Sequence, residues 1–302
     1  MDMIYTVMNR LLFVMWMSGM LFLSSCSIKE DRDRCPCWMT VDLSDVAESR
    51  WKSPERQSST EYQMVTKSLE SRQHIAESVV LRLRGNSDED EVDYAFKMTE
   101  TVNTEVGALE YEVPRGSVGV SVIGMPDRVG HDGIAGYDGD EIRIPVGEQM
   151  DSLYGFFRMF YTRCESVLCD VELHKEFCTV SFTLGDDGYI SPYDLEVWGN
   201  VAGVSPWDLM PLEGDFRFAP SQEDGVYRVR VPRQVDNSLE LVMLEDSEIV
   251  DRLPLGEYIT RSGYDWAAED LADVHIALDM EKQQVMITVS GWDGVVVMDI
   301  VI

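Results

Sequence analysis

Beyond Trp38, apolar side chains recur at every second position through most of the chain, a period that only extended strands with one buried face can satisfy. Met39, Val41 and Leu43 share a face, as do Val79, Leu81 and Leu83, then Tyr94, Phe96 and Met98, and then Leu109, Tyr111 and Val113. Pro114-Arg115-Gly116 reads as a tight turn into Val118, Val120 and Val122, which predicts a hairpin over residues 108–123. Ile142, Ile144 and Val146 form another strand, and the aromatic-rich run from Leu153 to Tyr161 closes the series.

A second series begins after Cys164. Val167, Cys169, Val171 and Leu173 lie on one face, followed by Cys178, Val180, Phe182 and Leu184. Tyr193, Leu195 and Val197, then Tyr227, Val229 and Val231, then Leu239, Leu241 and Met243 continue it. Val274, Ile276 and Leu278, then Val285, Ile287 and Val289, precede Trp292 and a last strand from Val295 to Ile302. Only Leu255 to Leu271 reads as partly helical. Many short strands separated by turn signals predict an all-β fold of two tandem antiparallel β-sandwiches, over residues 35–162 and 163–302. A chain of 302 residues with 45% hydrophobic content can fill two such cores. Ser87 to Asp93, Asp127 to Glu141, Gly185 to Gly188 and Glu213 to Gly225 are acidic and glycine-rich and are expected as loops; the polar stretch from Arg50 to Ser71 is expected as a surface excursion.

The N-terminus carries an export signal. Arg10 supplies a basic start, Leu11 to Leu23 is an unbroken run of apolar and small residues, and Leu23-Ser24-Ser25-Cys26 has the order of a lipobox. The run is about a dozen residues, shorter than the ~20 that a spanning helix needs. Residues 1–25 are therefore expected to be a lipoprotein signal peptide, with Cys26 as the lipidated residue and 26–34 as the tether to a Gram-negative outer membrane. Ser27-Ile28-Lys29-Glu30-Asp31 resembles a surface-export tag, which places the protein on the outer face.

A formal charge of −30 repels phosphate backbones and excludes nucleic acid as a partner. Besides Cys26 there are Cys35, Cys37, Cys164, Cys169 and Cys178, and an oxidising compartment allows disulfides among them. Cys35 and Cys37 point the same way in a strand, so a bridge is expected to run from one of them to the central group. The cysteine spacings lack the two-residue gaps and histidine partners of zinc knuckles, and no metal or other cofactor is expected.

The chain reads as a binding or structural protein rather than an enzyme. Ser117, in Arg-Gly-Ser-Val-Gly, lacks the spacing of a nucleophile elbow and reads as a turn serine. His74, His131, His174 and His275 are scattered and read as ordinary surface residues. Asp88, Glu89, Asp90 and Glu91, and likewise Asp132, Asp138, Asp140 and Glu141, lack the order of a calcium loop and read as solvated acidic segments. Trp38, Trp198 and Trp292 sit in or beside strands and are assigned to core packing.

Cys26, the stretch Lys29-Glu30-Asp31-Arg32-Asp33-Arg34-Cys35-Pro36-Cys37-Trp38, and Asp270-Leu271-Ala272-Asp273-Val274 followed by Val285 to Trp292 together resemble the FimB/Mfa-type fimbrial anchor lipoproteins. The resemblance implies two transthyretin-like sandwiches and a lipid-anchored subunit that attaches a pilus fibre to the outer membrane and contacts other fimbrial subunits by β-strand addition. A surface glycan-binding lipoprotein and a lipid-anchored hydrolase are the alternative readings. The strand from Val295 to Ile302 is apolar on both faces except at Asp299. It is expected inside its own sandwich, one face on the core and the other under a loop or the neighbouring domain, with a donor strand as the alternative.

Cys26→Ala is expected to abolish lipidation and move the protein out of the outer-membrane fraction. Retention of the variant in that fraction after a high-salt wash would count against the anchor.

Overall fold

The computed structural model of the chain describes residues 37–44, 46, 48–49, 73–74, 78–87, 96–125, 140–145, 147–163, 166–185, 191–279, 284–290 and 294–299. Its strands run in chain order β1 (Cys37–Asp42), β2 (Glu48–Ser49), β3 (Gln73–His74), β4 (Ser78–Ser87), β5 (Phe96–Asn103), β6 (Ala108–Val113), β7 (Gly116–Gly124), β8 (Ile142–Arg143), β9 (Tyr154–Tyr161), β10 (Ser166–Asp170) and β11 (His174–Lys175). They continue as β12 (Phe177–Leu184), β13 (Asp194–Val204), β14 (Pro211–Phe218), β15 (Ser221–Glu223), β16 (Val226–Pro232), β17 (Glu240–Glu245), β18 (Glu248–Leu253), β19 (Val274–Asp279), β20 (Gln284–Val289) and β21 (Val296–Asp299), with helix α1 (Leu255–Arg261) between β18 and β19. Among the described residues no helix is long and apolar enough to cross a membrane.

Alternation builds two separate cores. In β12 Cys178, Val180, Phe182 and Leu184 point inward while Thr179, Ser181 and Thr183 point out. Sheets of order β10-β1-β6 and β11-β9-β7-β4-β5 enclose the first core, which includes Met39, Leu81, Val120 and Phe156. Sheets of order β15-β16-β12-β19-β20-β21 and β14-β13-β17-β18 enclose the second, which includes Phe182, Leu241, Tyr258 and Ile276. Each sandwich repeats one arrangement: its first strand is flanked by an antiparallel and a parallel neighbour, β1 by β6 and β10, and β12 by β16 and β19. A parallel pair requires a long crossover, so each of these two closes a sandwich with residues far away in the chain.

Five sequence expectations change. The run Val167, Cys169, Val171 and Leu173, expected to open the second series, belongs to the first core: β10 pairs with β1 from Trp38↔Ser166 to Asp42↔Asp170. Residues 108–123 are not a hairpin, because β6 pairs with β1 while β7 pairs with β4 and β9 in the opposite sheet. Pro114-Arg115-Gly116 turns the chain between layers, as suits a strand buried on both faces like β7 following the half-exposed β6. Part of the expected acidic loop from Glu213 to Gly225 is β14, whose inward positions are Phe216 and Phe218 and whose acids Glu213 and Asp215 lie toward solvent. Trp38 is 49% exposed and not in the core, since its neighbours Cys37 and Met39 take the inward positions. Trp198 is half-buried outside the core, between Arg217 at 3.9 Å and Arg252 at 4.9 Å. Trp292, the 50–71 excursion, Tyr94 and the acidic residues 88–91, 132 and 138 lie outside the described residues.

The sandwiches are docked by the segment between β13 and β14. Trp207 leaves the second sandwich and lies on the outer face of the first, 6% exposed, with Lys97 Nζ at 4.6 Å and the Arg82 and Arg84 guanidinium carbons at 5.7 and 5.8 Å from its ring centre. Its indole N–H donates to Asp140 at 3.0 Å, and Asp140 also accepts from Lys97 at 2.7 Å. Ser121 of β7 donates to the Pro206 carbonyl at 2.7 Å. Leu209 seats itself above Gly155 of β9, where an added Cβ would come within 2.7 Å of the leucine side chain. Leu209 has a φ of 58°, a conformation costing an L-residue about 1–2 kcal/mol, so the docked contacts hold it there.

Gly155→Val is expected to destabilise the chain by about 1–3 kcal/mol through overpacking against Leu209. Adding Leu209→Ala should recover part of the loss in calorimetric melts; equal losses with no recovery would place the strain elsewhere.

Candidate functional site

Polar contacts concentrate at the joint between the sandwiches, and unpaired strand edges at the ends of their sheets. The joint is built around Lys175. This residue pairs with Tyr154 at the edge of the first sandwich, and it is 3% exposed. Its ammonium donates to Asp273 Oδ1 at 2.5 Å, just before β19 of the second sandwich. The same oxygen accepts the Thr179 N–H at 2.8 Å. The Lys175 N–H donates to Asp270 at 2.8 Å, and its carbonyl accepts from Leu271 N–H at 3.1 Å. Next in the chain, Glu176 is buried against Arg233 at 3.0 Å, and Arg233 also donates to the carbonyls of Trp266 and Ala268 at 2.6 Å each. Burial pushes the Glu176 carboxyl up from its ordinary value, and Arg233 opposes this.

His174 completes the joint. Nε2 lies 3.3 Å from Glu269 and Nδ1 3.5 Å from Asp270. The Asp270 hydrogen bond, with the charges of Asp270, Glu269 and Glu172, outweighs desolvation and raises its pKa above 6.5. Burial pushes Asp270 up, but its bonds from His174 and the Lys175 N–H win and leave it lowered. His174 is therefore not the ordinary surface histidine that the sequence predicts; nor is His275, whose Nδ1 lies 3.0 Å from Ser181 Oγ. Both partners are more than 90 residues away in the chain, so no local spacing announced them. The Asp270 to Val274 stretch did stand out in the sequence, and here it spans the joint.

Ser181 and His275 do not complete a catalytic triad. The Ser181 hydroxyl donates to the Val274 carbonyl at 3.2 Å, and Asp273 is bound to Lys175 and Thr179. Ser117 sits in β7 opposite Asn86 and Tyr161. Of the second acidic cluster, Asp140 is held by Lys97 and Trp207, and Glu141 by Arg143 at 2.6 Å. Among the described residues no group of three His, Cys, Asp or Glu is placed to hold a metal ion.

Cys37, Cys169 and Cys178 are buried, the first two in the first core and Cys178 in the second. The register puts Cys169 opposite Val41, four residues along the strand from Cys37, and Cys178 lies in the other core. Burial pushes the Cys169 and Cys178 thiols up to about 12. Cys26, Cys35 and Cys164 lie outside the described residues.

The last described strand, β21, is the outermost of the six-stranded sheet and pairs with β20. Val296 and Met298 pack on the second core, while Val295 and Val297 are 55% and 56% exposed. One face is covered as expected; the other is not covered by any described loop or neighbouring domain.

No protein-family profile matches the chain, and no curated protein does. Solved structures do. A proposed polysaccharide-binding protein of Bacteroides thetaiotaomicron is 15% identical with a TM-score of 0.51, the match covering 88% of this chain and 98% of that one. This likeness establishes a shared fold. A proposed adhesin of Bacteroides ovatus matches at 13% identity and a TM-score of 0.49, over 87% of this chain and 95% of its own. The fimbrial anchor protein Mfa2 of Porphyromonas gingivalis matches at 11% identity and a TM-score of 0.47, over 88% and 100%.

The joint makes stability depend on pH. A histidine whose folded pKa is raised contributes stability that is fully present below its unfolded value of 6.5 and is lost as pH rises through the folded value. The melting temperature is expected to fall as pH rises above about 6.5 by more in the wild type than in His174→Gln. Identical profiles would remove His174 from the joint's energetics.

Proposed function

We propose that the protein is a lipid-anchored fimbrial subunit, held through Cys26 in the outer membrane with its sandwiches displayed at the cell surface, and that it attaches a pilus fibre by β-strand contacts with other subunits. The observation that carries the reading is the edge of the six-stranded sheet. A final strand normally protects itself with lysines, prolines or bulges, because its outward backbone groups are a template for another chain. β21 instead presents Val297, with Val295 exposed just ahead of it and Asp299 as its one charged residue. Main-chain pairing along such an edge supplies affinity, and side chains on alternate faces set the register. The lipobox and the acidic tether with Cys-Pro-Cys-Trp support the membrane end of the same reading.

In this proposal the two sandwiches are two units joined at Lys175-Glu176, and the joint passes force from the fibre to the lipid without letting them swing.

Two experiments separate the parts of the proposal. Cells lacking the protein should release fibres into the medium, seen by electron microscopy; fibres that stay attached end the anchor reading. Val297→Lys changes an outward residue, so the melt should move by no more than about 0.5 kcal/mol. Fibre attachment should be lost in this variant, and full attachment would show that β21 is not the contact.

A further inference from the structure

We propose that the outer face of the six-stranded sheet carries a binding site for a single neutral sugar residue. The register of four strands assembles it. Arg228 of β16 stands opposite Ser181 of β12, Ser181 opposite His275 of β19, and His275 opposite Thr288 of β20, so four polar side chains form one row across the sheet. Thr179, Asp273 and Ser290 line the hollow beside it, and the two rows border an open hollow of about 260 Å³. The hollow exists because Thr179 and Ser181, on a central strand, are short, while the flanking Arg228 and His275 are long. Its volume lies just under the range of sites for drug-sized ligands, as suits one pyranose ring.

Its electrostatics select a neutral, hydroxyl-rich ligand. Arg228 is paired with Glu223 at 3.1 Å, and Asp273 with Lys175. Burial, helped by Arg228, lowers the pKa of His275 and keeps its ring uncharged at neutral pH. With the Ser181 hydroxyl donating to Val274, its oxygen accepts from Nδ1–H, and Nε2 of the neutral ring is an acceptor. Hydroxyls that both donate and accept, an imidazole acceptor, guanidinium donors and a carboxylate thus line one balanced hollow. An anion would meet a chain of net charge −30, and a strand-like peptide would find β12 and β19 already paired on both edges. The lining residues include no Trp, Tyr or Phe, so binding rests on hydrogen bonds and is weak.

The test is saturation-transfer NMR on the full chain in a non-glycosidic detergent, with the methyl glycosides of glucose, galactose, mannose and N-acetylglucosamine as probes. His275→Ala and Ser181→Val alter outward side chains, and circular-dichroism melts check that each variant folds. At least one sugar should show transfer, weakened about tenfold by at least one folded variant. Absence of transfer from all four sugars overturns the site, and so does transfer that every folded variant leaves unchanged. The fibre-attachment experiments do not depend on this outcome.

Discussion

An ammonium group taken out of water is costly unless it is paired and hydrogen-bonded, and Lys175 meets Asp273 across the boundary between the sandwiches. That one requirement orders much of the molecule. It fixes how the last strand of the first sandwich meets the strands of the second, because any other docking would leave a buried charge unmatched. Asp273 also holds the Thr179 N–H near the start of β12, and Asp270 holds the backbone of Lys175 itself. The loop that carries both aspartates reaches the joint because Leu271 anchors it in the second core and donates to the Lys175 carbonyl. A hydrophobic contact tolerates sliding; these directional bonds do not.

The Trp207 docking works by a complementary principle. In a chain with 55 acidic and 25 basic residues, cations are scarce, and several are spent inside the fold. Arg82, Arg84 and Lys97 gather around one indole, where the ring face attracts positive charge. Arg233 serves the carbonyls between Trp266 and Ala268 and the Glu176 carboxylate together. The surface is thereby left strongly acidic. That charge opposes indiscriminate pairing of exposed strands between copies, while β21 keeps Val297 facing outward.

The sequence by itself determined which residues face inward, because a strand's parity is a local property: Met39, Val41 and Leu43, or Val180, Phe182 and Leu184, declare their faces without reference to anything distant. It determined the all-β class for the same reason, and it marked the stretch that begins with the helix Leu255–Arg261. Even Trp38 was legible in parity, outward between two inward neighbours, although its aromatic character argued for the core. Which strand lies beside which was decided only in three dimensions. β6 and β7 are joined by only Pro114 and Arg115 yet lie in opposite sheets, and β10 pairs with a strand more than a hundred residues earlier. The joint of Lys175 with Asp273 and the row from Arg228 to Thr288 follow from that pairing. Each of their residues is, in sequence, a single polar position on an alternating strand or turn. Parity is set by the chain's own geometry, but register is set by burying two sheets against each other, and only the completed sandwich brings such residues together.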